Sequence, residues 1–249
     1  MVGTYNSWLV VSSVLVAILV SYTALCLSAR VARAEQKAVD WWLVVSALVM
    51  GTGIWSMHFI GMLAFSLPIP LSYDFTVTAG SLLIAVVITG LALSVTSSQK
   101  ISFRDLSVAA FSMGLGVSAM HYVGMEAVEI RPMVTYEPSL MAASVVIAIV
   151  ASFAALWLFF QLGGAGSAST MRGVRLGAAF VMGLAVSGMH YTAMAASRFS
   201  ANSVCTGRAS VDNRWLAIAI AAVSVSVLTF ASVLLSRGPQ RAQAGRSHH

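Results

Sequence analysis

Seven long apolar runs leave this chain few ways to fold. They lie near residues 8–29, 41–65, 75–97, 106–128, 139–161, 173–197 and 213–235. Each is long enough to cross a bilayer core as a helix, which takes about 20 residues. A backbone in lipid must satisfy its own polar groups, so only helices and closed barrels span. The alternating pattern of a barrel strand is absent. Composition agrees: 59% of residues are hydrophobic and 9% are charged, against about 25% charged in a soluble domain. The expected fold is an all-α integral membrane protein with seven transmembrane helices.

The net charge of +6 does not describe a nucleic-acid surface, because the cations sit between spans. Ten fall on one side: Arg30, Arg33, Lys37, Lys100, Arg104, Arg172, Arg175, Arg237, Arg241 and Arg246. Four fall on the other: Arg131, Arg198, Arg208 and Arg214. The positive-inside bias then puts the N-terminus outside and the C-terminus in the cytoplasm. The first run has no basic leader and no small-residue cleavage site, so it reads as a retained helix. Trp8, Trp41, Trp42 and Trp215 flank spans as interfacial anchors would. Cys26 and Cys205 fall toward opposite faces, and no bond between them is expected.

Three ungapped windows repeat: "MGTGIWSMHFIGM" from Met50, "MGLGVSAMHYVGM" from Met113 and "MGLAVSGMHYTAM" from Met182. Their starts are 63 and 69 residues apart, one helical hairpin per repeat. The expected architecture is therefore three repeated helical hairpins plus one N-terminal helix, over 1–235, with a basic, Gly/Pro/Gln-rich cytoplasmic tail over 236–249 that is too short to fold and is expected to be disordered. Nine of the thirteen methionines lie in the windows, with His58, His121 and His190. All three histidines fall toward the ends of even-numbered spans, hence at similar depth near the outer face. A pseudo-threefold packing would bring them together. Gly114 and Ser118, and Gly183 and Ser187, are small residues four apart, a spacing that lets membrane helices approach.

Residues four apart share a helix face, which pairs His58 with Met62, His121 with Met125 and His190 with Met194. Met57, Met120 and Met189 stand one residue before the histidines. Met50, Met113 and Met182 lie about two turns deeper. Thioether and imidazole together suit copper, above all Cu(I), better than oxygen-seeking cations. Tyr122 and Tyr191 are candidate hydrogen-bond partners for the site, which Phe59 in the first copy is not. Glu126 reads as an interfacial charge. Haem is a rival cofactor, since histidine and methionine are both axial ligands, but no Cys-x-x-Cys-His is present.

The motif "MHYT" itself stands at Met189–Thr192, with "MHYV" at Met120 and "MHFI" at Met57. On these three copies the chain resembles the MHYT domain family, bacterial integral-membrane sensor domains. The resemblance implies a multi-pass protein of the bacterial cytoplasmic membrane. It implies copper held by Met57, His58, Met62, Met120, His121, Met125, Met189, His190 and Met194. It also implies sensing of a diatomic gas (oxygen, carbon monoxide or nitric oxide) or of redox state. Many members continue into a cytoplasmic catalytic domain. This chain has only "SRGPQRAQAGRSHH" after the last span, so no enzyme activity is expected from it, and output would need a separate signalling partner. A copper carrier for a membrane oxidase, using Met50, Met113 and Met182 as a relay, is the alternative function. A copper oxygenase is a weaker third.

Overall fold

The computed structural model describes residues 3–32, 34, 36–69, 71–96, 102–163, 168–200, 202, 204–205 and 210–236. The basic tail expected over 236–249 lies, apart from Ser236, outside the described residues. Among the described residues seven helices are long and apolar enough to span: α1 (Ser7–Val31), α2 (Gln36–Ala64), α3 (Phe75–Thr96), α4 (Phe103–Glu126), α5 (Pro138–Gly163), α6 (Ala168–Ala196) and α7 (Asn213–Ser236). Each expected span falls on one of them. Local chemistry sets the starts. Asn6 Oδ1 accepts from the amides of Trp8 and Leu9, and Asp74 Oδ1 from that of Val77. Ser102 Oγ accepts from Arg104 N. Such side chains satisfy amides that have no helical partner. Pro138 opens α5, where its missing N–H costs nothing.

Among the described residues, one end of the bundle carries four two-stranded antiparallel ribbons. β1 (Thr4–Tyr5) pairs with β2 (Phe65–Ser66), and β3 (Ser72–Asp74) with β8 (Ser210–Asp212). β4 (Ile130–Arg131) pairs with β7 (Val204–Cys205), and β5 (Thr135–Tyr136) with β6 (Ser197–Arg198). Three equivalent hydrogen bonds tie this cap to the helices. Asn6 N donates to Ala64 O at 2.8 Å, Asp74 N to Ala127 O at 2.8 Å, and Glu137 N to Ala196 O at 2.9 Å. The end of each even helix is thus fixed to the start of the odd helix before it. Cys205 Sγ lies 3.0 Å from Ser72 Oγ in the cap, while Cys26 lies near the other end of α1; both are free thiols. At the surface Arg198 pairs with Glu137, and Ser139 and Arg198 hold the Glu137 carboxyl below its usual range.

Helices α1 to α6 form a ring in chain order, and α1 closes it against α6. The glycine that opens each repeat makes the closest approach. A Cβ on Gly51, Gly114 or Gly183 would stand 2.7, 2.5 or 2.9 Å from the Cα of Val86, Ile149 or Ile18. Only glycine lets the backbones meet there. The three repeats follow one another as hairpins along the chain. In space, however, Ile18 of α1 takes for α6 the place that α3 and α5 take for α2 and α4. Helix α7 lies outside the ring, chiefly on α2. Its span is 11% buried, whereas that of α2, covered from both sides, is 83% buried.

Candidate metal centre

His58, His121 and His190 lie six, five and six residues before the ends of α2, α4 and α6. That places all three about 8–9 Å below the strand cap, at 1.5 Å per residue. The pseudo-threefold ring turns them onto one point. His121 Nδ1 is 3.0 Å from His58 Nδ1, and His58 Nδ1 is 3.1 Å from His190 Nδ1. The rings are 0–1% exposed. Among the described residues this is the one group of three histidine, cysteine or acidic side chains whose ligand atoms converge.

Hydrogen bonding alone does not satisfy this trio. A neutral imidazole has one N–H and one bare nitrogen. His58 Nδ1 touches both partners but serves only one of them. The three Nε2 atoms have no partner at all. Each buried polar atom left unpaired costs about 1–3 kcal/mol. Three Nδ1 lone pairs aimed at one centre are a ligand set for a soft or borderline cation, and one ion there would engage all three at once. The proton of each ring would then sit on Nε2. In one respect the site departs from the usual pattern, in which the second nitrogen of a metal-bound histidine donates to a carboxylate or carbonyl. Here the Nε2 side is walled by glycine. A Cβ at Gly61 would land on His190 Nε2, and one at Gly124 on His58 Nε2. The third copy carries Ala193 at the equivalent place, fully buried. Every described acid lies at a helix end or in the cap, so no carboxylate offsets charge at the centre.

The six methionines expected beside the histidines are all buried, from 0% exposed at Met57 and Met120 to 4% at Met194. Tyr122 and Tyr191 point elsewhere than expected. Tyr122 Oη is 2.8 Å from Ser144 Oγ on α5, and Tyr191 Oη is 2.7 Å from Ser13 Oγ on α1. They bind α4 to α5 and α6 to α1, their neighbours in the ring, rather than orient a histidine. Phe59, the equivalent residue of the first copy, packs on Trp55 and Tyr73 with centroids 5.0 and 6.3 Å away. Tyr73 is 1% exposed and belongs to the cap above the site; burial pushes its phenol up. Glu126 is exposed at the end of α4. Changing Tyr122 or Tyr191 to Phe should cost about 1 kcal/mol each, the worth of one hydrogen bond, and leave metal content unchanged. Thermal melting beside metal analysis of the purified variants checks both halves.

Three copies of the MHYT family model, described as a bacterial signalling protein N-terminal repeat, match residues 51–109, 114–173 and 183–245. The chain belongs to the MHYT family. Each MHYT repeat begins on a glycine of closest approach, Gly51, Gly114 or Gly183, and holds one histidine of the centre. The family expected from the motif copies is the one found. Over 242 residues the chain is 46% identical to the bifunctional diguanylate cyclase/cyclic di-GMP phosphodiesterase MucR of Pseudomonas aeruginosa, covering 95% of this chain and 35% of that protein. It is 36% identical over 196 residues to the signalling protein YkoW of Bacillus subtilis (79% of this chain, 24% of that one). It is 42% identical over 194 residues to the cyclic di-GMP phosphodiesterase NbdA of P. aeruginosa (78% and 24%). The chain thus spans about a quarter to a third of the length of these three curated relatives. No solved structure matches it.

Three features of this MHYT bundle carry no mark in the sequence. One is the seating of two histidines on Gly61 and Gly124. Another is closure of the ring by α1. The third is a bond from Ser224 Oγ to Ser56 Oγ, 2.7 Å, which joins α7 to α2 two residues before His58. Ser56 falls within the first repeat window, but nothing in the sequence names its partner.

Proposed function

We propose that this membrane domain is the sensing part of a signalling protein and holds one copper ion on the Nδ1 atoms of His58, His121 and His190. The observation that carries the reading is the convergence of three buried, otherwise unsatisfied imidazole nitrogens. Copper bound there would supply a redox-active centre with affinity for oxygen, carbon monoxide or nitric oxide. The absence of a neighbouring carboxylate favours the monovalent ion, since less uncompensated charge enters a dry site. Nδ1 atoms 3.0 and 3.1 Å apart leave no room for a porphyrin between them, which weighs against haem.

The orientation rests on the positive-inside bias. It sets the strand cap and the centre at the outer face of the cytoplasmic membrane and the end of α7 at the cytoplasm. Output then runs through α7, the helix outside the ring. Ser224 ties it to the His58 helix, and Arg30 of α1 donates to the carbonyl of Leu235 near its end. The matched relatives are named for cyclic di-GMP synthesis or hydrolysis, so control of such an activity is the output we assign to the signal.

Metal content by mass spectrometry, with the ultraviolet–visible spectrum, tests the reading on detergent-purified protein. About one copper per chain that depends on the three histidines supports it. A Soret band without copper, or no metal after anaerobic loading with Cu(I), overturns it. For the output route, copper should slow amide hydrogen exchange in both α2 and α7. In Ser224→Ala the protection should persist in α2 and fade in α7, at a stability cost of about 1 kcal/mol.

A further inference from the structure

Met50, Met113 and Met182 stand eight residues before the three histidines, about 12 Å along their helices and away from the cap. Equivalent positions on α2, α4 and α6 arrive at one place. All three, with Met189, line a single cavity of about 30 Å³ inside the ring. The side chains are 1–5% exposed. Small residues of α1 and α5, among them Ala17, Ser21, Ala148 and Ser152, complete the wall.

Methionine in a core normally closes irregular gaps, because its three rotatable bonds let it follow them. Here one methionine from each repeat surrounds a gap that stays open. The space would admit a water by size, though two polar partners are the fewest a buried water takes, about three being typical. The wall offers two hydroxyls and no charged group. What it offers instead is soft sulfur from three or four thioethers.

We propose that this cavity is a second metal site, in which Met50, Met113 and Met182, with Met189 beside them, hold one soft monovalent ion of the Cu(I) or Ag(I) class. Thioethers alone are poor ligands for hard oxygen-seeking cations and good ones for Cu(I). All four are neutral and no acid lines the cavity, so a divalent ion would carry its whole charge into an apolar interior. The site differs from the histidine centre in ligand atom and in depth, and it stands whether or not that centre binds copper.

The test is an anaerobic titration of the full chain in detergent with Ag(I) and with Cu(I), counting ions per chain by mass spectrometry. The wild type is compared with Met50→Leu/Met113→Leu/Met182→Leu and with His58→Leu/His121→Leu/His190→Leu. Leucine nearly conserves the volume of methionine, which keeps the packing cost small. The proposal expects about two ions in the wild type and about one in each variant, with a sulfur-only shell in X-ray absorption of the histidine variant. A methionine variant that binds as many ions as the wild type overturns it, as does a histidine variant that binds none. Should the triple methionine change fail to fold, each single change to leucine should weaken one ion by about tenfold or more. Unchanged affinity in all three singles also overturns the site. A wild type that binds one sulfur-ligated ion and no nitrogen-ligated one would refute the histidine centre and leave this one standing.

Discussion

His121→Leu should melt at a higher temperature than the wild type when both are metal-free, and at a lower one when both are offered Cu(I). The first half follows from the six ring nitrogens enclosed at the meeting of α2, α4 and α6. His58 Nδ1 cannot satisfy both neighbours, and all three Nε2 atoms lack partners. Removing one imidazole removes two of those nitrogens and relieves about 1–3 kcal/mol per orphaned group. The second half follows from linkage: an ion that binds only the folded wild type stabilises it by about 2.7 kcal/mol at a hundredfold excess over its dissociation constant. Loss of even an indirect partner of a metal ligand costs roughly 10–100-fold in affinity, so loss of a ligand should exceed that. Melting curves in detergent, with and without Cu(I), read both signs. A variant less stable than the wild type without metal would mean that the histidines serve packing alone.

Gly124→Ala should disturb the centre without touching a ligand. The added Cβ falls on His58 Nε2, and the same change at Gly61 falls on His190 Nε2. The ring has nowhere to retreat, because its other nitrogen is held between His121 and His190. Overpacking of this kind costs about 1–3 kcal/mol. Here the strain should show as a displaced imidazole, with copper affinity lowered by about tenfold or more. Ala193→Gly is the control, since the third copy already carries a Cβ at that place; it should keep its copper. Metal per chain and melting temperature for the three variants decide it. Full copper in Gly124→Ala would show that the rings do not rely on glycine for their position.

The sequence made the spans legible because lipid permits few backbone solutions; each of the seven apolar runs became a helix. It also made the histidines legible, since one residue recurring at one depth in three hairpins points to a shared purpose. The hydroxyls of Tyr122 and Tyr191 were not. Helical spacing fixes where a side chain leaves its own helix, and Ser144 and Ser13 sit on others. Ring closure was hidden for a related reason. The repeat pairs α6 with α7 along the chain, while Ile18, which receives Gly183, lies in a helix with no copy of the motif. Gly61 and Gly124 were visible only as part of a repeated word; their use depends on rings that come from a different helix in each case.

Closure by α1 sets an order of manufacture. Helix α1 leaves the ribosome ahead of α2 to α6 and holds the last gap in the ring, so it waits through five more insertions for α6. The triad is complete only when His190 arrives on that helix. A chain interrupted after four or five helices has an open ring and two histidines. It therefore lacks the third imidazole, and under the copper reading proposed above unfinished copies would not compete with mature ones for metal.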